Sequence, residues 1–115
     1  MARFFAEMFG AAVTPDTDPT GRAHPDRARF ILRLGGQVLL VAPPHPDFPA
    51  APAPAFPHLG LEHIGLGVDD LDAAVAALRA KGADIPIGPL AGGPGLRLAF
   101  VRGPEGIMVE LLQRP

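Results

Sequence analysis

Two side chains that commonly bind metal ions, His63 and Glu110, stand at opposite ends of the best-patterned half of this 115-residue chain. His63 lies near the start of one predicted strand, and Glu110 lies near the middle of another. The chain has no cysteine, so the available ligands are imidazole, carboxylate and backbone oxygen, a set that suits Zn, Ni, Co, Mn or Fe. A divalent ion held in this way would polarise the oxygen atoms of a bound substrate. His63 and Glu110 are therefore candidate metal ligands, and Glu110 is also a candidate catalytic residue.

The strands that carry the two residues show the two-residue period of a sheet with two different faces. In residues 61–68, His63 shares its side with two glycines, which leave that side sterically open. In residues 107–113, Glu110 shares a mostly apolar side with Met108. A carboxylate in such surroundings needs a partner or a metal ion, although a solvent-facing strand carboxylate is the simpler alternative. Met108 is accordingly a candidate substrate contact.

The elements between these two strands are expected from local signals. The pattern predicts a helix from Asp69 or Asp70 to about residue 81, a short edge strand around residues 85–87, a glycine-rich loop at 92–95 and a strand at 96–102. Leu98 and Phe100 in the last of these strands are expected to belong to the packed core. Together with the two strands above, these elements form a complete βαβββ unit.

The first half of the chain repeats part of this unit. Its pattern predicts a helix at residues 2–9, a long turn or mobile loop at 13–26, and a hairpin of strands at 27–34 and 37–42. Residues 43–57 are rich in proline and alanine and lack periodicity, which predicts a linker. We therefore expect a single domain over residues 1–115, with an incomplete first module at 1–42, the linker at 43–57 and a second module at 58–115.

Three arginines alternate with apolar residues on the predicted strands. Arg29 and Arg33 belong to the first hairpin, and Arg97 belongs to the second module. Because a guanidinium group matches the geometry of a carboxylate, these residues are candidate contacts for an anionic substrate. An exposed strand face explains them equally well.

Composition and charge narrow the class of protein. The formal net charge is −2 and the pI is near 6.0, so the chain lacks the basic surface expected of a nucleic-acid-binding protein. No run approaches the roughly 18 apolar residues of a membrane span, and the first residues do not resemble a signal peptide. These features predict a cytoplasmic protein that binds neither nucleic acid nor membrane.

The chain resembles a known family, closely over residues 61–113 and more loosely over residues 2–43. The segments LEHIGLGVDDLDAAVAALRAKGA and GLRLAFVRGPEGIMVELLQ are similar to the vicinal oxygen chelate superfamily, which includes glyoxalases, bleomycin resistance proteins and extradiol dioxygenases. The resemblance implies an α+β fold of paired βαβββ modules whose curved sheets enclose a cleft, usually in a homodimer, with a divalent metal on the concave face. It also implies ligands at a His on a module's first strand and a Glu on its last strand, which match His63 and Glu110.

The first module departs from the family pattern. It opens directly on a helix, so its first strand and the ligand on that strand are not found, and Leu39 and Leu40 stand where a carboxylate is expected. Other potential donors, none at a matching position, are Gln37, His45, His58 and Glu62. Only half of the expected ligands are therefore visible, and a second subunit is one possible source of the others.

Two classes of function follow from these features. The first is a metal-dependent lyase or isomerase, similar to lactoylglutathione lyase, or a dioxygenase that acts on a small oxygenated molecule. The second is a metal-free protein of the bleomycin resistance type that binds a drug or metabolite. A module that serves only in interactions is a third, weaker alternative. We also expect a homodimer, because an incomplete module leaves a sheet edge and an apolar wall that a second copy would cover.

Overall fold

A computed structural model describes residues 1–16 and 28–115 of the chain. The chain divides into two compact units, Met1–Pro52 and Ala53–Pro115. The boundary falls inside the segment rich in proline and alanine, and the assignment of residues 43–57 as the linker stays a prediction. Within the described residues, each unit contains one α-helix and one sheet, with three strands in the first sheet and four in the second. This arrangement confirms the predicted α+β class.

The first unit is a helix followed by an antiparallel sheet. Its elements in chain order are α1 (Ala2–Phe9), β1 (Ala12–Pro15), β2 (Phe30–Leu34) and β3 (Gln37–Val41), and the strands lie in the order β1-β2-β3. Gly10 ends α1 in the left-handed conformation, with φ of 70°, which glycine adopts without steric cost. Phe5 of α1 and Leu32 of β2 are buried and belong to the core of this unit.

The expected loop at residues 13–26 is wrong in its first part. Residues 13–15 belong to β1, which pairs with β2 from Ala12 opposite Arg33 to Pro15 opposite Phe30. A strand of four residues is too short to show a clear period, and a neighbouring strand that comes later in the chain supplies its hydrogen-bond partners. Residues 17–26 of the expected loop lie outside the described residues.

The second unit has the complete βαβββ order. Its elements are β4 (His63–Gly67), α2 (Leu71–Ala80), β5 (Asp84–Gly93), β6 (Leu96–Arg102), a single 3-10 turn (Pro104–Gly106) and β7 (Met108–Gln113). The strands lie in the order β4-β7-β6-β5, and β4 runs parallel to β7 while the other pairs are antiparallel. The first and last strands of the module are therefore direct neighbours.

Helix α2 covers one face of this sheet. The buried side chains on the two sides are Leu71, Val75 and Leu78 of the helix and Ala99, Val101, Val109 and Leu111 of the strands. Each large side chain in this set contributes about 1.5–3 kcal/mol through burial. The Asp70 side chain accepts a hydrogen bond from the Ala73 amide at 2.9 Å, which caps the helix as predicted. The other face of the sheet carries His63 and Glu110.

The expected short edge strand and the loop at 92–95 need correction. Strand β5 is ten residues long and continues to Gly93, with three shifts of register against β6. Proline lacks the backbone N–H that a ladder requires, but an edge strand with bulges accommodates it. Because this strand lies at the edge, Pro86 does not interrupt it.

Gly88 is a position where a side chain cannot be added without a clash. Its φ is 85°, and a Cβ atom would lie 2.5 Å from the Leu98 carbonyl oxygen. Gly82 has nearly the same φ, 83°, but a Cβ atom there would meet nothing within 4 Å. We therefore expect Gly88→Ala to lower the free energy of unfolding by at least about 1 kcal/mol more than Gly82→Ala does, because overpacking adds to the backbone cost. Urea denaturation of both variants measures the difference, and equal losses would contradict the close approach at Gly88.

Candidate metal centre

His63 and Glu110 are brought together by the parallel pairing of β4 with β7. In this register His63 lies opposite Met108, and Gly65 lies opposite Glu110. The Nε2 atom of His63 is 3.4 Å from the Oε2 atom of Glu110, and the exposed fractions of the two side chains are 34% and 15%. Residues that are far apart in the sequence thus form a half-buried pair on the sheet face opposite α2, which we call the site face.

A second carboxylate contacts the other ring nitrogen of His63. The Oε1 atom of Glu62 is 3.1 Å from His63 Nδ1, and Glu62 Oε2 accepts a hydrogen bond from the His58 amide at 3.0 Å. The hydrogen bond from His63 lowers the pKa of the Glu62 carboxyl, desolvation opposes this effect, and the His58 amide lowers the pKa further. Glu62 is therefore ionised at neutral pH and accepts hydrogen bonds only. It follows that Nδ1 of His63 is the donor.

This assignment leaves an electrostatic conflict at the other ring nitrogen. A neutral imidazole carries one N–H, and the other nitrogen presents a lone pair. With the proton on Nδ1, the lone pair of Nε2 faces the Glu110 carboxylate, and two acceptors at 3.4 Å repel each other. A cation removes the conflict, either as a second proton on the ring or as a metal ion bound by both groups.

The separation of the two acceptors suits a shared metal ion. Two ligand atoms bound tetrahedrally to one zinc ion, each at roughly 2.0–2.1 Å, lie about 3.3 Å apart, close to the 3.4 Å observed. A carboxylate on the second nitrogen of a metal-binding His is also the usual arrangement, and Glu62 supplies it. In the described part of the chain, however, no three His, Asp or Glu side chains form a metal-binding group. The pair therefore fits as two ligands of a site that requires others.

Phe100 lies on the site face, contrary to the expectation that it belongs to the packed core. It is paired with Glu110 across β6 and β7, and its ring meets the His63 ring edge to face at a centroid distance of 5.2 Å. The Phe56 ring lies 5.7 Å from Phe100. Leu98 shares the same face because it pairs with Leu112, and neither Leu98 nor Phe100 is fully buried. The pair is thus bordered by aromatic and aliphatic side chains.

Glycines leave part of the site face without side chains. A Cβ atom at Gly65 would lie 3.1 Å from a Leu112 methyl group and 3.8 Å from Glu110 Oε2, while one at Gly67 would meet nothing within 4 Å. A ligand can therefore approach the backbone of β4 closely. Met108 lies on the same face, but it is 1% exposed, so little of its side chain is available to a substrate.

Of the three candidate arginines, Arg97 alone belongs to the second unit, and its side chain lies on the sheet face opposite the pair. Arg97 points to the α2 side of the sheet, where its guanidinium group donates to both oxygens of Asp72 at 2.7 and 2.9 Å. Arg29 and Arg33 belong to the first unit. Arg29 forms an ion pair with Asp16 at 2.9 Å, and Arg33 is exposed. The sheet of the second unit therefore separates Arg97 from His63.

Sequence reasoning named Glu62 only as a potential donor and did not place Phe56 and Phe100 beside the pair. Period-two alternation puts Phe100 on one face of its strand but does not say which face α2 covers. Glu62 and Phe56 precede β4, where the chain has no regular period. The one available signal was the position of Glu62 directly before His63, and it became informative only with the distance between the side chains.

Comparison with known protein families identifies the family of this chain. The model of the Glyoxalase/Bleomycin resistance protein/Dioxygenase superfamily matches residues 1–111. The chain belongs to this family. The finding confirms the resemblance and includes the first module, where the resemblance is looser.

Curated relatives of this family member match over part of its length. A probable lactoylglutathione lyase of Vibrio parahaemolyticus is 43% identical over 53 residues, which is 44% of this chain and 38% of that protein. The lactoylglutathione lyase of Haemophilus influenzae is 40% identical over 53 residues, with the same coverage of 44% and 38%. The match therefore spans well under half the length of either relative.

Solved structures of the family match almost the whole chain. A glyoxalase family protein from Enterococcus faecalis has a TM-score of 0.70 and 26% identity, and the match covers 95% of this chain and 82% of that one. TnmS3, an antibiotic binding protein from Streptomyces sp. CB03234, has a TM-score of 0.70 and 23% identity, with coverage of 99% and 84%. These matches show a shared fold. Among the described residues, no helix is long and apolar enough to cross a membrane.

The ion pair between Arg97 and Asp72 on the α2 side of the sheet predicts how the pKa of Asp72 responds to loss of Arg97. Arg97 lowers the pKa of the Asp72 carboxyl through its hydrogen bonds and charge. We expect Arg97→Gln to raise that pKa towards its ordinary value, as measured by carboxyl NMR during a pH titration. A depressed native pKa stabilises the fold above the unfolded pKa, and this contribution is lost as pH falls through the native pKa. Arg97→Gln should therefore lose less stability on acidification than the wild type does. A pKa of Asp72 that is the same in the variant and the wild type would contradict the ion pair.

Proposed function

We propose that this chain is a metal-dependent lyase or isomerase of the glyoxalase type that acts on a small oxygenated molecule. His63 and Glu110 supply two ligands of a divalent metal ion. The observation that carries the proposal is the 3.4 Å separation of His63 Nε2 and Glu110 Oε2 while Nδ1 contacts Glu62 at 3.1 Å. The curated relatives named lactoylglutathione lyase, which are 40–43% identical over their matched segments, support the reaction class.

In such a reaction, each group of residues on the site face would have a different role. When bound, a divalent ion supplies Lewis acidity that stabilises negative charge on substrate oxygens. His63 and Glu110 hold the ion, and Glu110 is also a base that can accept a proton from a substrate carbon. The Phe100 ring and the neighbouring aliphatic side chains exclude water, which strengthens every charge interaction at the site. The glycines of β4 allow the substrate to approach the sheet.

In this proposal, a second copy of the chain supplies the remaining ligands of the metal ion. A metal ion needs at least three protein ligands in most catalytic sites, and the described residues supply two at this position. Apolar side chains left exposed support a homodimer, since Val38 and Leu40 on β3 are 56% and 55% exposed. Their burial by a second copy would remove apolar surface from water.

A metal-free binding protein is the second candidate function. The apolar side chains of the site face and the uncovered glycines favour a flat, largely apolar ligand, and the fold is shared with the antibiotic binding protein TnmS3 at a TM-score of 0.70. In this case Glu110 accepts hydrogen bonds from the ligand instead of binding a metal. Binding of an aromatic compound that is equally strong with and without a chelator would favour this function.

Metal titration of variants tests the first function. We expect one class of divalent site in the wild type, and His63→Ala and Glu110→Gln should each weaken it by at least about 100-fold, because losing a direct ligand costs more than losing an outer partner. Isothermal calorimetry with Zn²⁺ and Ni²⁺ measures the affinity. Glu105→Gln is the matched control, since it removes an exposed carboxylate of the same unit, on the turn between β6 and β7, and it should leave the affinity unchanged.

Two results would argue against a metal-dependent enzyme. One is the lack of stoichiometric divalent ion in protein purified without chelator, together with no thermal shift on adding metal. The other is a loss of metal affinity in the control variant that equals the loss in His63→Ala and Glu110→Gln. Sedimentation equilibrium in parallel tests the homodimer, and a monomer at micromolar concentration that still binds metal would contradict ligands from a second copy.

A further inference from the structure

We infer that Glu62 is a positioning residue that fixes the ring proton of His63 on Nδ1 and so keeps Nε2 free to bind a metal ion. The inference rests on the proposed function, because it concerns how one of the two proposed ligands is prepared for binding. It adds a residue that neither the strand pattern nor the family resemblance places in the site.

The position of Glu62 explains how it reaches the ring of the residue that follows it. Adjacent residues in a strand point to opposite faces, but β4 begins at His63, and Glu62 precedes it. Its carboxylate is then held by two donors, the His58 amide at 3.0 Å and the His63 ring at 3.1 Å. Because both oxygens are engaged, the carboxylate has a defined place.

The His63 ring has two competing places for its single proton. Glu62 lies 3.1 Å from Nδ1, and Glu110 lies 3.4 Å from Nε2. The shorter contact is within the range of an N–H···O hydrogen bond and the longer one is outside it. Hydrogen bonding to Glu62 therefore favours the tautomer of the neutral ring that carries its proton on Nδ1. Without Glu62, the proton would move to Nε2 and donate to Glu110, where it blocks the nitrogen that binds the metal.

The ring is also held in orientation. Phe100 contacts it edge to face, with an interplanar angle of 86°, an arrangement that aromatic pairs favour. Glu62 and Phe100 thus restrain different degrees of freedom: Phe100 restrains the plane of the ring, and Glu62 selects the tautomer. Removal of Glu62 should change the proton position even when the ring plane is kept.

The tautomer can be measured without any metal. We propose long-range ¹⁵N–¹H NMR of the metal-free protein under conditions in which the ¹⁵N spectrum shows a neutral His63 ring, with the His63 signals identified by their loss in His63→Ala. The wild type should show the proton on Nδ1, and Glu62→Ala should show it on Nε2. Glu105→Gln, a change at an exposed carboxylate of the same unit, is the control and should resemble the wild type. A proton that stays on Nδ1 in folded Glu62→Ala would overturn the inference.

Metal affinity supplies the second measurement. Zn²⁺ binding should be about 10–100-fold weaker in Glu62→Ala, the usual range for loss of an outer partner of a His ligand. Glu62→Gln keeps one acceptor oxygen for two donors, so its affinity should fall between those of the wild type and Glu62→Ala. It also guards against misfolding of the alanine variant, which circular dichroism monitors. Affinity that is equal in all three folded proteins would overturn the role of Glu62.

The two measurements separate the inference from the proposed function. A wild type that binds no metal but keeps the Nδ1 proton, and loses it in Glu62→Ala, would refute the metal-dependent enzyme while supporting the control of the ring by Glu62. A wild type that binds metal through His63 with no effect of Glu62→Ala on tautomer or affinity would refute the inference while leaving the proposed function intact.

Discussion

The parallel pairing of β4 with β7 is the constraint on which the site depends. It sets Gly65 opposite Glu110, so the ring of His63 meets the carboxylate from the neighbouring strand. A shift of register by one residue would turn every side chain of β4 to the other face. Ile64 and Leu66 of β4 oppose such a shift, because they pair with the buried Val109 and Leu111 on the α2 side and would be turned away from the apolar core. The packing of the helix thus maintains the geometry of the His63 and Glu110 pair from the other side of the sheet.

The alternation of residue types predicted most of the strands and assigned His63 and Glu110 each to one face of its own strand, because a strand with one packed side leaves a period of two in the sequence. Helix α2 was predicted for a similar reason, since its cap and apolar stripe are local signals. Strand β1 and the length of β5 were not predicted, because pairing with a distant strand overrides weak or proline-interrupted patterns. Phe100 was assigned to the packed core, and Arg97 was left between a substrate contact and an exposed strand face, because periodicity separates two faces but does not say which face the helix covers.

The site combines features of both functions known among proteins of this fold. The Glu62, His63 and Glu110 arrangement calls for a cation, since one neutral ring lies between two carboxylates. The glycines of β4 and the Phe100 ring, in contrast, provide an apolar surface that a flat ligand could occupy with no metal present. The two candidate functions differ in what they require of His63: metal binding requires a free lone pair on Nε2 beside Glu110, which a ring proton on Nδ1 leaves available, whereas binding of a metal-free ligand does not require it.

A crystal structure of the protein grown with Zn²⁺ tests this account most directly, with the ion located by its anomalous scattering. The account predicts one ion bound by His63 Nε2 and a Glu110 oxygen at about 2.0–2.2 Å, with Nδ1 still in contact with Glu62. An ion bound elsewhere while the His63 and Glu110 pair remains without metal, or an ion on Nδ1 in place of the Glu62 contact, would contradict it.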